Sequence, residues 1–325
     1  MHKVRLIRAA LLATLALLAG TDAHAAATYP ARPIRLVVPQ NPGASNDTIT
    51  RIIAARMSED LGQQFVVDNR PGAGGVIASE LVVHAPADGY TLYATATASQ
   101  VIGPQVIKTR TFDPLHDFQP ISLFAMTQNI LIVHPSVPVK TVKELIAYTK
   151  AHPGKLNLAN AGTGTQSHLA GVLLTKAAGL DVIHVPYKGG GASVGAVIAG
   201  ESHASITPGP AVLGHIRAGR LRALASGGAK RSSLTPDIPT LIESGVPLES
   251  TGWIGLIAPK GTPKAVVDKL HAALVKALAN PATKKVMEHQ GADPETNTPA
   301  EFAKFMAAEY KRFGEAIRLA NLKPN

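Results

Sequence analysis

The stretch "KLNLANAGTGTQSHLAGVLLTKAAG", residues 155–179, sets the fold class. It opens on a strand-like run, "KLNLAN". It passes through a loop of glycine, threonine and serine, then closes on the helical pattern "QSHLAGVLLTKAAG". Strand, glycine-rich loop and helix together form the repeating unit of a parallel α/β sheet.

The same unit recurs on both sides of this stretch. Upstream, "IRLVV" (34–38) reads as a buried strand. "DTITRIIAARMSEDLG" (47–62) reads as a helix with Ile49, Ile52, Ile53 and Met57 on one face and Gly62 as its stop. "FVV" (65–67) and "YTLYATA" (90–96) are further strands, with "RPGAGG" as a turn between them. The rhythm restarts after "ILIVHP" (130–135). Thr141 and Glu144 there have capping-box spacing. "VIHVPY", "HASIT" and "RLRALAS" supply more strands, and "ASVGAVIAG" another helix. "GWIGLIAPKGTP" (252–263) leads into three helical patterns without strands between them. The last begins at Thr298 with Pro299 and Glu301, and its Phe302, Met306, Phe313 and Ile317 recur at helical spacing. That apolar stripe reads as docking onto a core. Two α/β units facing each other would leave a cleft at the carboxyl ends of their strands.

The first residues stand apart. Lys3, Arg5 and Arg8 precede the apolar block "AALLATLALLAG", and Ala23-His24-Ala25 offers a cleavage site. This is the pattern of a secretory signal peptide, with cleavage after Ala25 and a periplasmic destination. A mature chain from Ala26 has 325 − 25 = 300 residues, enough for two compact domains. Without cysteine it forms no disulfide and carries no N-terminal lipid; its 46% hydrophobic residues must supply the core. The net charge of +10 falls to +8 once Lys3, Arg5, Arg8 and Asp22 are removed. The basic residues are scattered and aromatic residues make up 4%, which disfavours nucleic-acid binding.

Four chemistries can be tested on the loop. A P-loop needs a lysine followed by Ser or Thr after its glycines, and "GTGTQSH" has none. A hydrolase elbow sets serine between glycines; Ser167 and His168 are adjacent on a helix and point apart. The histidines are spread singly and no cysteine joins them, so no metal site is expected. Anion capture remains. A helix N-terminus offers unpaired N–H groups and a partial positive charge. Gly162 permits close approach, and Thr163, Thr165 and Ser167 add hydroxyls. "PQNPGASNDT" (39–48) repeats the device, with Asn41, Ser45 and Asn46 around Gly43. Taken singly, each loop reads as a self-capped helix. Equivalent places in two units favour one shared carboxylate site.

Ten motifs then follow one family's pattern in order. They are "YPARPIRLVVPQNPG", "VVDNRPGAGG", "APADGYTLYA", "FDPLHDFQPISL", the long segment from "VHPSVPVKTVKELIAYTK" to "AGTGTQSHLAG", "VIHVPYKG", "HIRAGRLRALA", "IPTLIESG", "GLIAPKGTP" and "GADPETNTPAEF". The mature chain resembles the substrate-binding proteins of the tripartite tricarboxylate transporter family, the Bug (TctC-like) proteins. The resemblance implies a two-lobed type II periplasmic-binding (Venus-flytrap) α/β fold. Lobe 1 would comprise residues 26–128 and 256–325, and lobe 2 residues 129–255. It implies a monomer without catalysis, metal or cofactor that closes around a small carboxylate. The loaded protein would meet a membrane transporter of one large and one small subunit, or else a sensor kinase. A periplasmic hydrolase using Ser167 and His168 is the enzyme alternative.

The resemblance also places the ligand-gripping loops at Pro39 to Asp47 and Ala161 to His168. Two departures bear on specificity. Ala44 stands where relatives have a second glycine. Thr207 stands where relatives often carry an aspartate that meets a ligand ammonium, so aspartate and glutamate are expected to bind poorly. Ser99, Tyr187 and Thr207 would shape the distal end, where hydroxyls receive a second carboxylate or a phenolic group.

Overall fold

A computed structural model describes residues 29–232 and 235–322. The proposed leader, residues 1–25, lies outside the described residues.

The chain begins with alternating strands and helices. Strand β1 (Ile34–Val38) leads to helix α1 (Ser45–Leu61), β2 (Phe65–Asn69), α2 (Val76–Val83), β3 (Thr91–Ala96) and the short α3 (Gly103–Val106). Strands β2 and β3 both run parallel to β1, one on each side. Helix α1 buries Ile49, Ile53 and Met57, as its spacing requires, and ends at Gly62 in the left-handed conformation. Each of those side chains contributes roughly 1.5–3 kcal/mol on leaving water.

The second unit is built alike: α4 (Val142–Ala151), β5 (Leu156–Asn160), α5 (Gln166–Ala178), β6 (Val182–Pro186), α6 (Gly190–Ile198), β7 (Ala204–Pro208), α7 (Leu213–Arg217) and β8 (Arg222–Ser226). Strands β6 and β7 flank β5 in parallel. Thr141 caps α4 by accepting the N–H of Glu144, as its spacing predicts.

Two strands join the units. β4 (Phe118–Val133) is one long strand belonging to both. Its first part pairs antiparallel with β9 (Thr251–Pro259), and from Asn129 onward it pairs with β7 and β8. β9 itself lies between β3 and β4. The return crossing is therefore at Ser250–Thr251, ahead of the sequence-based boundary at residues 255 and 256. The two crossings are tied together. Asn129 donates its N–H to the Ser250 carbonyl and its side-chain Nδ2 to Ser250 Oγ at 2.6 Å. A side chain at Gly227 would put its Cβ 2.2 Å from the Ser250 carbonyl oxygen, so glycine is required there.

Helices α8 (Lys264–Ala279), α9 (Pro281–His289) and α10 (Pro299–Leu319) follow, with the short β10 (Asp293–Pro294) paired to β4. Thr298 and Glu301 form the expected capping box of α10. The apolar stripe Phe302, Met306, Phe313 and Ile317 is buried against the first unit's core, around Trp253. Each unit thus has two apolar layers, one on each face of its sheet. Leu169 of α5 packs into the first unit's layer, so α5 touches both lobes.

Candidate ligand cleft

Both glycine loops sit at the carboxyl ends of their strands, and a run of close contacts connects them. A Cβ on Gly75 would fall 3.4 Å from Pro39 of the first loop and 2.2 Å from Ser99. A Cβ on Gly103 would fall 2.4 Å from the Gly74 carbonyl, and one on Gly164 would fall 3.3 Å from Val106. The turn at residues 72–75 and the segment through α3 therefore bridge the first loop to the second.

The first loop is shaped by side chains that look inward. Asp47 is buried; its carboxylate accepts the Gly43 N–H at 2.8 Å, Asn69 Nδ2 at 2.9 Å and Arg51 Nε at 2.9 Å. Burial alone would raise its pKa. The bonds from Arg51, Gly43 and Asn69, and the Arg51 charge, outweigh burial and hold it below its ordinary value. Asn46 is equally committed. Its Nδ2 donates to the Ala94 carbonyl, and its Oδ1 accepts the Thr50 hydroxyl. Gln40 Oε1 accepts the Asn46 N–H. What remains outward is backbone. Among the described residues, the N–H groups of Asn41, Ser45 and Asp47 have no hydrogen-bond partner, and neither do the Asn41 and Ser45 side chains. Ala44 occupies the cap position without a side-chain acceptor, leaving the helix end open.

The second loop follows the same plan. Asn160 Oδ1 accepts the Gly162 N–H, Ser167 Oγ accepts that of Ala161, and Thr165 Oγ1 caps α5 at His168 N. Gly162 has φ of 119°, a conformation that favours glycine. His168 Nδ1 accepts the Gly164 N–H at 3.2 Å. The N–H groups of Thr163, Gln166 and Ser167 have no partner among the described residues, nor does the exposed Thr163 hydroxyl. Burial lowers the His168 pKa. Burial, and secondarily His168 itself, lowers that of His184, whose ring meets it edge-on at 5.9 Å.

The two loops thus present two sets of free N–H groups at the first turns of α1 and α5. Such donors hold an anion without a cation's counter-charge. No group of three or more His, Cys, Asp or Glu suited to a metal occurs among the described residues.

The three expected distal hydroxyls do not come together, and of them only that of Thr207 is left without a partner among the described residues. Tyr187 directs its hydroxyl to Ser202 Oγ at 3.0 Å, beside the start of β7, whereas Thr207 lies near that strand's other end. Its ring packs on the core layer of α6, so Tyr187 is a structural residue here. Ser99 is buried and returns its hydroxyl to Ala96 and Thr95. Thr207 is buried on β7 and makes no side-chain hydrogen bond among the described residues. Sequence reasoning missed Asn69, Asn160 and Gln166, and had Gln40 only as an added amide beside Asn41. Gln166 reaches the Thr251 carbonyl at the hinge. An asparagine just before a glycine turn was the available signal for Asn160.

The model of the tripartite tricarboxylate transporter family receptor matches residues 49–322. The chain belongs to that family. Protein BugT of Bordetella pertussis is 36% identical to it over 298 residues, 91% of each chain. The structure of Rpa4515 of R. palustris with adipate superposes with a TM-score of 0.87 at 34% identity, covering 91% of this chain and 100% of that one. MatC of Rhodopseudomonas palustris with bound malate gives a TM-score of 0.81 at 30% identity, covering 89% and 100%. The family is one of transporter receptors, not of enzymes, and the α/β fold is shared with these neighbours. No helix among the described residues is long and apolar enough to cross a membrane.

Proposed function

We propose that this chain is the periplasmic receptor for a small organic acid, a dicarboxylate or an aromatic carboxylate in preference to an amino acid. The observation that carries the reading is the pair of open helix N-termini, each with free N–H groups among the described residues. One carboxylate spans them. Ligand then bridges the lobes, shifts the open–closed equilibrium and presents the closed form to a membrane transporter of the family's type. Neighbours solved with adipate and with malate support the acid class. The preference against amino acids rests on Thr207 and on Asp47, whose carboxylate is already engaged by three partners and offers nothing to an ammonium group. The leader at residues 1–25 accounts for delivery to the periplasm.

A thermal-shift panel of mono-, di- and tricarboxylates, aliphatic and aromatic, with amino acids and esters as controls, tests the reading. Ligand at about 100 times its dissociation constant adds about 2.7 kcal/mol to the folded state, a shift of several degrees. Stabilisation by one acid class, with the acid recovered unchanged, is the expected result. A flat response to every acid overturns it.

A further inference from the structure

We propose that His168 is a positioning residue for the ligand loop: its neutral imidazole holds the Gly164 N–H, and protonation of the ring releases the loop and weakens capture. The inference deepens the carboxylate reading above and rests on it for its effect on affinity.

The hydrogen bond fixes the ring's chemistry. A backbone N–H can only donate, so Nδ1 must carry a lone pair and the ring proton sits on Nε2. Adding a proton to Nδ1 would set two donors against each other at 3.2 Å. One of them must move. The ring is held by its place in the first turn of α5, whereas Gly164 belongs to a loop. Gly164 is also confined, with φ of 78° and Val106 close behind it. Its displacement carries Thr163, whose N–H is free, and Thr165, whose hydroxyl caps the helix.

The surroundings give the cation no support. From β6 the facing ionisable group is His184, with Nε2 3.2 Å from Thr175 Oγ1 and a buried, unpartnered Nδ1. From α3 the neighbour of the loop is the apolar Val106. From α10, Arg312 lies by Gln166 and Leu169 on another part of α5, and is paired with Glu309. Glu249 lines the same pocket as Arg312 and Gln166, and among the described residues no carboxylate bonds to the ring. Burial lowers the pKa of both imidazoles. The sign follows: burial holds the folded value below the ordinary 6.5, so the neutral ring is the native form at neutral pH, and the loop loses its acceptor only as the pH falls through that lowered value.

Two readouts test this on the ¹⁵N-labelled mature protein from pH 7.5 down to 4.5, with every affinity referred to the fully ionised acid, because the second carboxyl of a dicarboxylate begins to take up a proton near about pH 5. The first, without ligand, is the Gly164 amide shift and its solvent exchange, corrected for intrinsic rate, against titration of the His168 ring. The second is calorimetric affinity for adipate and malate. The expected result is at least about a tenfold loss of Gly164 protection tracking His168, with affinity falling in the same window. His168→Ala should bind weakly at every pH. His168→Asn supplies a non-titrating acceptor and should rescue binding with a flat pH profile, while His184→Gln keeps the wild-type profile. A Gly164 amide indifferent to His168 overturns the proposal, as does His168→Asn with the wild-type pH dependence. If Gly164 responds but every acid in the panel fails to bind, the carboxylate reading falls and the loop switch stands. If acids bind with pH-independent affinity, the switch falls alone.

Discussion

Replacing Asp47 by alanine should cost about 2–3 kcal/mol of stability and loosen the first ligand loop. Hydrogen bonds to a charged group contribute about 1.5 kcal/mol each at the low end, so losing the Gly43 and Asn69 bonds costs about 3 kcal/mol. The Arg51 pair adds no more than about 0.5 kcal/mol, because about half of the Arg51 side chain is in solvent (49%). Relief from burying a carboxylate returns about 1 kcal/mol. The thermal midpoint should fall by roughly 5 °C at neutral pH. Asp47 has a depressed pKa in the folded protein, so its contribution is complete above its ordinary value of 3.8. It is lost as the pH falls through the folded value. The gap between wild type and Asp47→Ala should therefore be constant from pH 8 to 5 and close in stronger acid. Asp47→Asn, which retains one acceptor, should lie between the two. Calorimetric melting across this pH range, with carboxylate titrations at pH 7, measures both effects. A gap below about 0.5 kcal/mol, or one that widens in acid, would refute the assignment of Asp47 as the loop's organiser.

Two further outcomes follow from the packing and the cleft. Gly255→Ala would place a Cβ 2.1 Å from Phe302 Cζ in the buried cluster around Trp253. It should destabilise by about 1–3 kcal/mol, with Phe302→Leu recovering part of the loss in a double-mutant cycle; additive effects would contradict the contact. Thr207→Asp should weaken dicarboxylate binding at least about tenfold and bring in aspartate or glutamate, measured by calorimetry. An unchanged ligand ranking would remove Thr207 from the site.

The features legible in the sequence were local ones. The caps at Thr141 and Thr298 depend on partners three residues away, and both formed. The alternation of apolar runs gave the α/β class, and the two glycine loops landed at helix N-termini. The failures involve distant partners. Nothing near Asn46 announces that its amide belongs to Ala94, or that Tyr187 reaches past α6 to Ser202. The return crossing at Ser250–Thr251 was placed too late because "GWIGLIAP" is uniformly apolar and continues as one strand. The length of β4 was hidden by Pro120 and by register shifts near Pro120 and Leu123 that interrupt its pattern.

The position of β9 also orders the making of the molecule. Tyr93 has no cross-strand partner on that side until Ile257 arrives, and Gln119 must wait for Ala258. The first unit's sheet stays split at its middle until most of the chain has been synthesised, while the second unit can assemble from contiguous residues. Closure of such a nonlocal sheet is slow. The cleft, which needs both lobes, comes into being as one of the last events of folding.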